Sequence, residues 1–94
     1  IITGGENVWP LPIETILAEL PSVAEVAVIG RPDPEWGATV TAVVVPTDPS
    51  IPPALDELRD AVRAQLPAHC APRVLELRPS LPRTALGKVR RSEL

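Results

Sequence analysis

Apolar residues recur at helical spacing in two segments of this 94-residue chain. The first stripe consists of Ile13, Ile16, Leu17 and Leu20, and the second of Leu55, Leu58, Val62 and Leu66. Both follow the three- and four-residue spacing of a helix that lies on a core. Pro12 and Pro21 bracket the first stripe, because proline suits the first helical turn and the residue before a proline avoids the α region. The pattern predicts two short amphipathic helices, the second of which ends at Pro67.

Small and β-branched apolar residues dominate two further runs, 23–29 and 38–45. These runs predict two strands, and the segment 73–78 alternates well enough to predict a third. Residues 31–37 between the first two runs contain two prolines, which favours an antiparallel pair joined by a shaped loop rather than a tight hairpin. Residues 89–94 are expected to form a short terminal helix. The predicted fold is therefore α+β, a small sheet of about three main strands plus an N-terminal glycine turn or hairpin, covered on one face by two to three helices.

Charge is distributed unevenly along the chain. Residues 73–94 contain six basic and two acidic residues, whereas residues 1–72 contain three basic and ten acidic ones. The C-terminal segment therefore presents a local positive field that suits phosphate or carboxylate groups. The acidic remainder and the presence of only two aromatic residues argue against nucleic-acid binding. Those two, Trp9 and Trp36, could form docking surfaces, although filling a gap in an aliphatic core is the commoner use of an indole.

Cysteine content and hydropathy narrow the class of protein further. Cys70 is the only cysteine, so no internal disulfide can form and we expect a reducing, cytoplasmic setting. Cys70 and the neighbouring His69 cannot by themselves supply a tetrahedral metal site, and we expect no metal to be bound by this chain. The longest apolar run, 42–45, is far shorter than the ~20 residues that cross a bilayer, so we expect no membrane span.

Candidate chemistry concentrates near the C-terminus, where Lys88 follows Gly87 in a segment rich in arginine. A glycine gives the backbone the freedom to turn, and nearby cations suit a lysine that reaches toward an anion. A phosphate-binding P-loop is excluded, because that motif needs glycine where Pro82 stands and Ser or Thr where Val89 stands. From spacing alone, an ordinary solvated surface lysine remains the commoner interpretation of Lys88.

Two segments resemble a known family. Residues 2–10 (ITGGENVWP) and 81–91 (LPRTALGKVRR) are similar to parts of the C-terminal domain of acyl-CoA synthetases, which belong to the adenylate-forming superfamily. Between them, Gly30 to Asp33, Trp36-Gly37 and Ala71 to Arg73 fall in the expected order and spacing, so the likeness spans the whole chain. The 81–91 run leans toward o-succinylbenzoate ligases or ligases of medium- and long-chain acids.

The resemblance implies a two-step ligase reaction. A carboxylate attacks ATP, which is bound with Mg²⁺, to give an acyl-adenylate and pyrophosphate, and the thiol of coenzyme A then displaces AMP to form a thioester. In the first step the family's equivalent of Lys88 reaches the carboxylate and the α-phosphate. In the second, after the domain rotates, the loop equivalent to Gly4, Gly5, Glu6 and Asn7 lines the pantetheine passage. Arg73 matches a position at which some relatives hold the nucleotide phosphates of coenzyme A.

The resemblance also implies that residues 1–94 are a single C-terminal domain of a longer chain. Its partner would be the N-terminal domain that binds ATP and the acyl group, and the isolated domain would be inactive. Because the acyl pocket lies in that other domain, these residues do not identify the acid. Two alternatives remain at this point: the same domain from a peptide-synthetase adenylation unit that loads a carrier protein, and a non-catalytic module that binds anions or nucleic acid.

Overall fold

The computed structural model describes all 94 residues as a helix-and-sheet fold. In chain order its elements are β1 (Ile2–Thr3), β2 (Glu6–Asn7), α1 (Pro10–Ala18), β3 (Val23–Asp33), β4 (Gly37–Pro46), α2 (Leu55–Arg63) and β5 (Val74–Leu77), with single 3₁₀ turns at Ala68–Cys70 and Arg91–Glu93. β1 and β2 form a small hairpin, and the main sheet has the strand order β3-β4-β5. The predicted α+β class, with three main strands and a glycine hairpin, is confirmed.

The strands β3 and β4 form a longer hairpin than the sequence predicts. They are antiparallel as expected, but their pairing continues to Asp33 opposite Gly37, which leaves a loop of residues 34–36. The prediction of a connection from 31 to 37 was wrong because Pro32 is accommodated within β3. This strand lies at the edge of the sheet, where a residue without an N–H can be tolerated.

The two helices begin or end a few residues away from the predicted positions. α1 starts at Pro10 rather than beside Ile13, so Pro10 and Pro12 both fall in its first turn, where N–H groups have no partner within the helix. α2 stops at Arg63, three residues before Leu66, whose N–H still donates to the carbonyl of Val62 at 2.8 Å. The apolar stripes identified the helices correctly, and local turn geometry sets their ends.

The helices cover one face of the main sheet. The most deeply buried side chains of this interface are Ile13 and Leu17 from α1, and Leu58 and Val62 from α2. They pack in one cluster with the sheet residues Val28, Val40, Ala42 and Val44. Burial of such aliphatic side chains stabilises a fold by about 1.5–3 kcal/mol for each Val, Leu or Ile. This cluster therefore fixes the sheet to the helices.

The C-terminal segment covers the opposite face of the sheet, which the sequence pattern did not predict. Leu81 is buried against Ala27 of β3 and Val43 of β4, and Val89 and Leu94 pack around them. Because Val89 joins this cluster and pairs with Arg83 as an isolated β-bridge, the predicted helix over 89–94 does not form. Only the 3₁₀ turn Arg91–Glu93 remains of it. The segment that carries Lys88 is thus the second layer of the domain.

A charged network crosses the same sheet face. Arg31 of β3 donates to both carboxylate oxygens of Glu76 on β5, from Nε at 2.9 Å and from Nη2 at 2.7 Å. Nη2 of Arg78 lies 3.6 Å from Glu76 and donates to the carbonyl oxygen of Leu94 at 3.3 Å. The hydrogen bonds from Arg31 are the main reason that the pKa of Glu76 lies below its ordinary value of 4.5. This network connects the outer strands to the end of the chain.

The N-terminal hairpin is attached to the β3–β4 loop by close packing on glycine. Gly4 and Gly5 form its two-residue turn with φ of 55° and 82°, the left-handed pair that a tight hairpin favours. The N–H of Gly4 donates to the carbonyl of Trp36 at 2.9 Å. A Cβ at Gly4 would lie 2.8 Å from Cε3 of Trp36, whereas one at Gly5 would meet nothing within 4 Å. Gly4 is therefore required by both backbone and packing.

We expect Glu76→Gln to destabilise the chain by about 1 kcal/mol at pH 7, since it weakens partly exposed hydrogen bonds to arginine. The folded pKa of Glu76 is lowered, so its contribution is fully present above 4.5 and is lost as the pH falls through the folded value. The difference in unfolding free energy between wild type and Glu76→Gln should shrink over the same pH range. Urea unfolding between pH 7 and pH 3 measures it. Glu35→Gln, at an exposed loop position, is the control, and a difference independent of pH would contradict the assignment.

Substitution of the two turn glycines separates backbone strain from packing. Gly5→Ala should cost about 1 kcal/mol, since it places a Cβ at positive φ. Gly4→Ala should cost about 2–3 kcal/mol, because the new Cβ also displaces the Trp36 indole. Urea unfolding gives both values, and Trp36 emission in a Trp9→Phe background should change only with Gly4→Ala. Equal costs for the two variants would show that the indole moves away freely.

Candidate functional site

Lys88 lies on a short hairpin whose turn is made by residues 84–87. The N–H of Gly87 donates to the carbonyl of Thr84 at 2.9 Å, and the N–H of Thr84 donates to the carbonyl of Lys88 at 2.7 Å. Gly87 has φ of 85°, a left-handed position at the end of the turn that glycine adopts without strain. The hydroxyl oxygen of Thr84 accepts the N–H of Lys88 at 3.2 Å. The segment around Lys88 therefore forms a defined hairpin that presents the lysine.

Alternation along this hairpin directs Lys88 away from the domain. Its neighbour Val89 packs against the sheet, and successive side chains of an extended strand point to opposite faces. The Lys88 side chain is accordingly exposed and forms no hydrogen bond or ion pair within the chain. It is free to reach an anionic group supplied from outside this domain.

Every other cation of the segment 73–94 has a partner. Arg83 is paired with Glu25, Arg90 with Glu93, Arg91 with Glu14, Arg78 with Glu76, and Arg73 stacks on Trp36. The sequence suggested a cluster of cations that jointly attract an anion. The structure corrects this expectation, because four of the arginines lie within ion-pair distance of a glutamate, two of them from earlier in the chain (Glu14 and Glu25) and two from the segment itself (Glu76 and Glu93). Lys88 is the one basic side chain in the segment that has neither an ion pair nor an aromatic stacking partner.

A second cluster forms where the glycine hairpin meets Trp36. The guanidinium carbon of Arg73 lies 4.5 Å from the centre of the Trp36 ring, within the range of a cation–π contact. Gly4 approaches the same indole. Glu6 and Asn7 are exposed on β2. Of the residues predicted for coenzyme A binding, the structure therefore brings Gly4 and Arg73 together through a tryptophan that lies between them in sequence.

Asp33 shapes the loop that carries this indole. Its Oδ1 accepts the N–H groups of Glu35 and Trp36, each at 2.8 Å, and its Oδ2 accepts the hydroxyl of Thr39 at 3.1 Å. These bonds, the one from Trp36 first, lower the pKa of Asp33 below its ordinary value, and the charge of Arg73 adds to the effect. The Asp33 carboxylate thus holds the Trp36 backbone in place, and it attracts the Arg73 guanidinium that stacks on the Trp36 ring.

Trp36 was not placed among the site residues by sequence reasoning. The available signal was its position in an Asp-Pro-Glu-Trp-Gly turn, since an Asp that begins a turn often accepts backbone N–H groups two and three residues later. The expectation that the tryptophans mainly fill core gaps was wrong, because 71% of Trp9 and 40% of Trp36 are exposed.

The Lys88 hairpin and the Trp36 cluster are two separate sites. No hydrogen bond or ion pair connects them, and each is held by its own contacts to the sheet. No group of three or more His, Cys, Asp or Glu side chains is arranged to hold a metal ion. Burial raises the pKa of the Cys70 thiol, which is consistent with a structural role for that residue. The helices are all too short to cross a membrane.

Comparison with known proteins gives consistent matches along the whole chain. The sequence is 44% identical over 94 residues to indoleacetate–CoA ligase of Aromatoleum aromaticum, covering 100% of this chain and 18% of that protein. It is 38% identical over 94 residues to 2-succinylbenzoate–CoA ligase of Listeria monocytogenes, covering 100% of this chain and 20% of the relative. The chain therefore spans about a fifth of the length of these relatives.

Solved structures and a family model agree with this match. A malonyl-CoA ligase in a ternary product complex with methylmalonyl-CoA and AMP superimposes with a TM-score of 0.83 at 44% identity, covering 88% of this chain and 18% of that one. The model of the AMP-binding enzyme C-terminal domain matches residues 12–88, which include β3 to β5, both helices' apolar stripes and Lys88. The chain therefore belongs to the AMP-binding enzyme C-terminal domain family.

Proposed function

We propose that this chain is the C-terminal domain of an ATP-dependent acyl-CoA ligase and that Lys88 acts in its adenylation step. In that step a carboxylate oxygen attacks the α-phosphorus of ATP, and the bond to pyrophosphate breaks. In the next, the thiol of coenzyme A attacks the acyl carbon and AMP leaves. The observation that carries the proposal is the contrast between Lys88, which is exposed and unpaired, and the four arginines nearest to it in sequence, which all form ion pairs.

The free ammonium suits the charge that develops during adenylation. Negative charge increases on the phosphoryl oxygens as the carboxylate approaches, and a preplaced cation in a poorly solvated site stabilises it. Lys88 has the geometry for this role because the hairpin presents it outward and Thr84 fixes its backbone N–H. A lysine already paired with a carboxylate would first have to break that pair.

The glycine hairpin suits the second step. A pantetheine arm that passes close to a backbone needs positions without Cβ atoms, and nothing lies within 4 Å of the place where a Cβ of Gly5 would be. Glu6 and Asn7 are exposed beside it and offer polar groups to the amides of the arm. We assign Gly4, Gly5, Glu6 and Asn7 to the pantetheine passage. Gly4 also supports Trp36, so its role is partly structural.

Arg73 is the residue that we assign to the nucleotide phosphates of coenzyme A. Its guanidinium carbon lies 4.5 Å from the centre of the Trp36 ring, a contact that does not consume the hydrogen-bond donors of the guanidinium. The side chain is exposed and has no carboxylate within ion-pair distance. A stacked arginine of this kind can still bind phosphate oxygens at its edge.

The remaining parts of the reaction belong to the rest of the ligase. We infer that ATP with its Mg²⁺ and the carboxylic acid bind to an N-terminal domain against which this domain closes, and that the enzyme works in the reducing cytoplasm. Free coenzyme A is the favoured acceptor, since the relatives described above are CoA ligases. Assaying the full-length protein with coenzyme A and with a phosphopantetheinylated carrier protein tests this choice directly.

Lys88→Ala in the full-length ligase should lower the rate of adenylate formation by about 10²–10³-fold, since a group that stabilises developing charge is lost. Thioester formation from supplied acyl-adenylate should stay within a factor of about two to three of wild type, because we expect Lys88 to act only in the first step. Pyrophosphate release and thioester formation measure the two steps. Arg90→Ala, at the exposed arginine two residues away, should change neither rate, and an equal loss in both steps for Lys88→Ala would count against the assignment.

Arg73→Leu should raise the KM for coenzyme A about 10-fold, because one charge-assisted contact to phosphate is removed. The KM for pantetheine, which lacks the nucleotide and its phosphates, should stay the same. Steady-state kinetics with the two acceptors therefore separate phosphate binding from general damage to the domain. A similar rise with both acceptors would place Arg73 outside the phosphate site.

A further inference from the structure

Arg91 and Glu14 form an ion pair between two distant parts of the chain. Nη2 of Arg91 lies 2.5 Å from Oε1 and 2.6 Å from Oε2 of Glu14, although the residues are 77 positions apart. Glu14 belongs to α1, and its side chain is only 13% exposed, whereas that of Arg91 is 47% exposed. The pair therefore joins the C-terminal segment to the helix layer across the edge of the sheet.

The carboxylate of Glu14 is itself held by the backbone. Its Oε2 accepts the N–H of Val28 at 2.8 Å. Val28 lies on β3, the edge strand of the main sheet, so this N–H is donated to a side chain rather than to another strand. Because α1 and β3 both restrain Glu14, the carboxylate is a fixed anchor for a cation rather than a mobile surface group.

Lys88 lies between this anchor and a second one. Arg91 follows Lys88 by three residues, and the N–H of the intervening Arg90 donates to the carbonyl of Pro82 at 2.8 Å. On the other side of the turn, Arg83 pairs with Glu25 and donates to the carbonyl of Gly87 at 2.8 Å. In addition to the packing of Leu81 and Val89 on the sheet, one ion pair before Lys88 and one after it therefore hold the hairpin.

We propose that Glu14 and Arg91 are positioning residues that fix the Lys88 hairpin in the orientation needed for adenylation. This inference rests on the function proposed for Lys88. An ammonium on a flexible four-carbon stem stabilises a reacting phosphoryl group only within hydrogen-bond reach, and a misplacement of about 1 Å can cost about 10²-fold in rate. Fixing the backbone on both sides of Lys88 reduces the number of positions that the ammonium samples. Neither Glu14 nor Arg91 needs to touch the substrate for this purpose.

The adjacent arginine offers a natural comparison. Arg90 forms a local pair with Glu93, three residues away at 3.4 Å, and both side chains are about half exposed. Such a pair fixes nothing beyond its own turn and contributes little. Arg90→Gln therefore removes one positive charge at nearly the same place as Arg91→Gln without releasing the hairpin.

The test uses the full-length ligase with Arg91→Gln, Glu14→Gln and the double variant. Glu14→Gln keeps an oxygen that can accept the Val28 N–H but removes the charge that holds Arg91. We expect each single variant to lower kcat for pyrophosphate release about 10-fold, with the KM for ATP nearly unchanged. The rate of thioester formation from supplied acyl-adenylate should stay the same. The double variant should be no slower than either single one, because both changes remove the same contact.

Controls distinguish this inference from general destabilisation and from failure of the proposed function. Arg90→Gln should leave both half-reactions unchanged, and Arg91→Lys, which retains charge but not the fork, should keep part of the adenylation rate. If Arg91→Gln does not fold, the proposal is tested with Arg91→Lys, by the ratio of its adenylation rate to its rate of thioester formation. Equal slowing of both steps, or a lower Tm with an unchanged ratio of the two rates, would overturn the positioning role.

A Lys88→Ala variant assayed in parallel separates the two proposals. If Lys88→Ala slows adenylation and Arg91→Gln does not, only the positioning role fails. If Lys88→Ala leaves adenylation unaffected, the function proposed for Lys88 is overturned.

Discussion

The packing of the C-terminal segment on the sheet is the constraint on which the rest of the structure depends. Leu81 and Val89 bury apolar surface against Ala27 and Val43, on the face that the helices leave open. A small domain with so few large side chains needs both sheet faces to be covered. Since Val89 must point inward, Lys88 must point outward. The same burial that stabilises the domain therefore determines where its free ammonium is presented.

Ion pairs and one cation–π contact occupy every basic side chain of residues 73–94 except that of Lys88. The arginines that surround Lys88 in sequence are distributed over the domain and meet carboxylates of α1, β3 and β5. The pairs of Arg83 with Glu25 and of Arg91 with Glu14 link the segment to β3 and α1, so these charges serve attachment rather than attraction of a ligand. An anion that approaches this surface meets one uncompensated ammonium on a rigid turn. This arrangement favours the binding of one anionic group at Lys88 over a general attraction of anions to a basic surface.

The two sites of the domain differ in chemistry as well as in position. The Lys88 hairpin offers charge and suits the adenylation step proposed for it, whereas the cluster of Gly4, Trp36 and Arg73 offers an open backbone, an indole and a stacked guanidinium. Both adjoin the three-stranded sheet, although Gly4 belongs to the separate β1–β2 hairpin, and no hydrogen bond connects the two sites. Two such surfaces on one domain are consistent with the two successive steps that we propose for the ligase.

Sequence alone determined the helices, the three main strands, the glycine hairpin and the family, because apolar spacing and two end motifs are local properties of the chain. It also singled out Lys88, although it attributed the surrounding arginines to the same site. Only the tertiary structure decided that residues 79–94 cover the second sheet face and that Trp36 joins Gly4 to Arg73. It also decided that Glu14 holds Arg91 across the sheet edge. These contacts join residues 32 to 77 positions apart, and a pairing over such distances follows from strand order and burial, which no local pattern encodes.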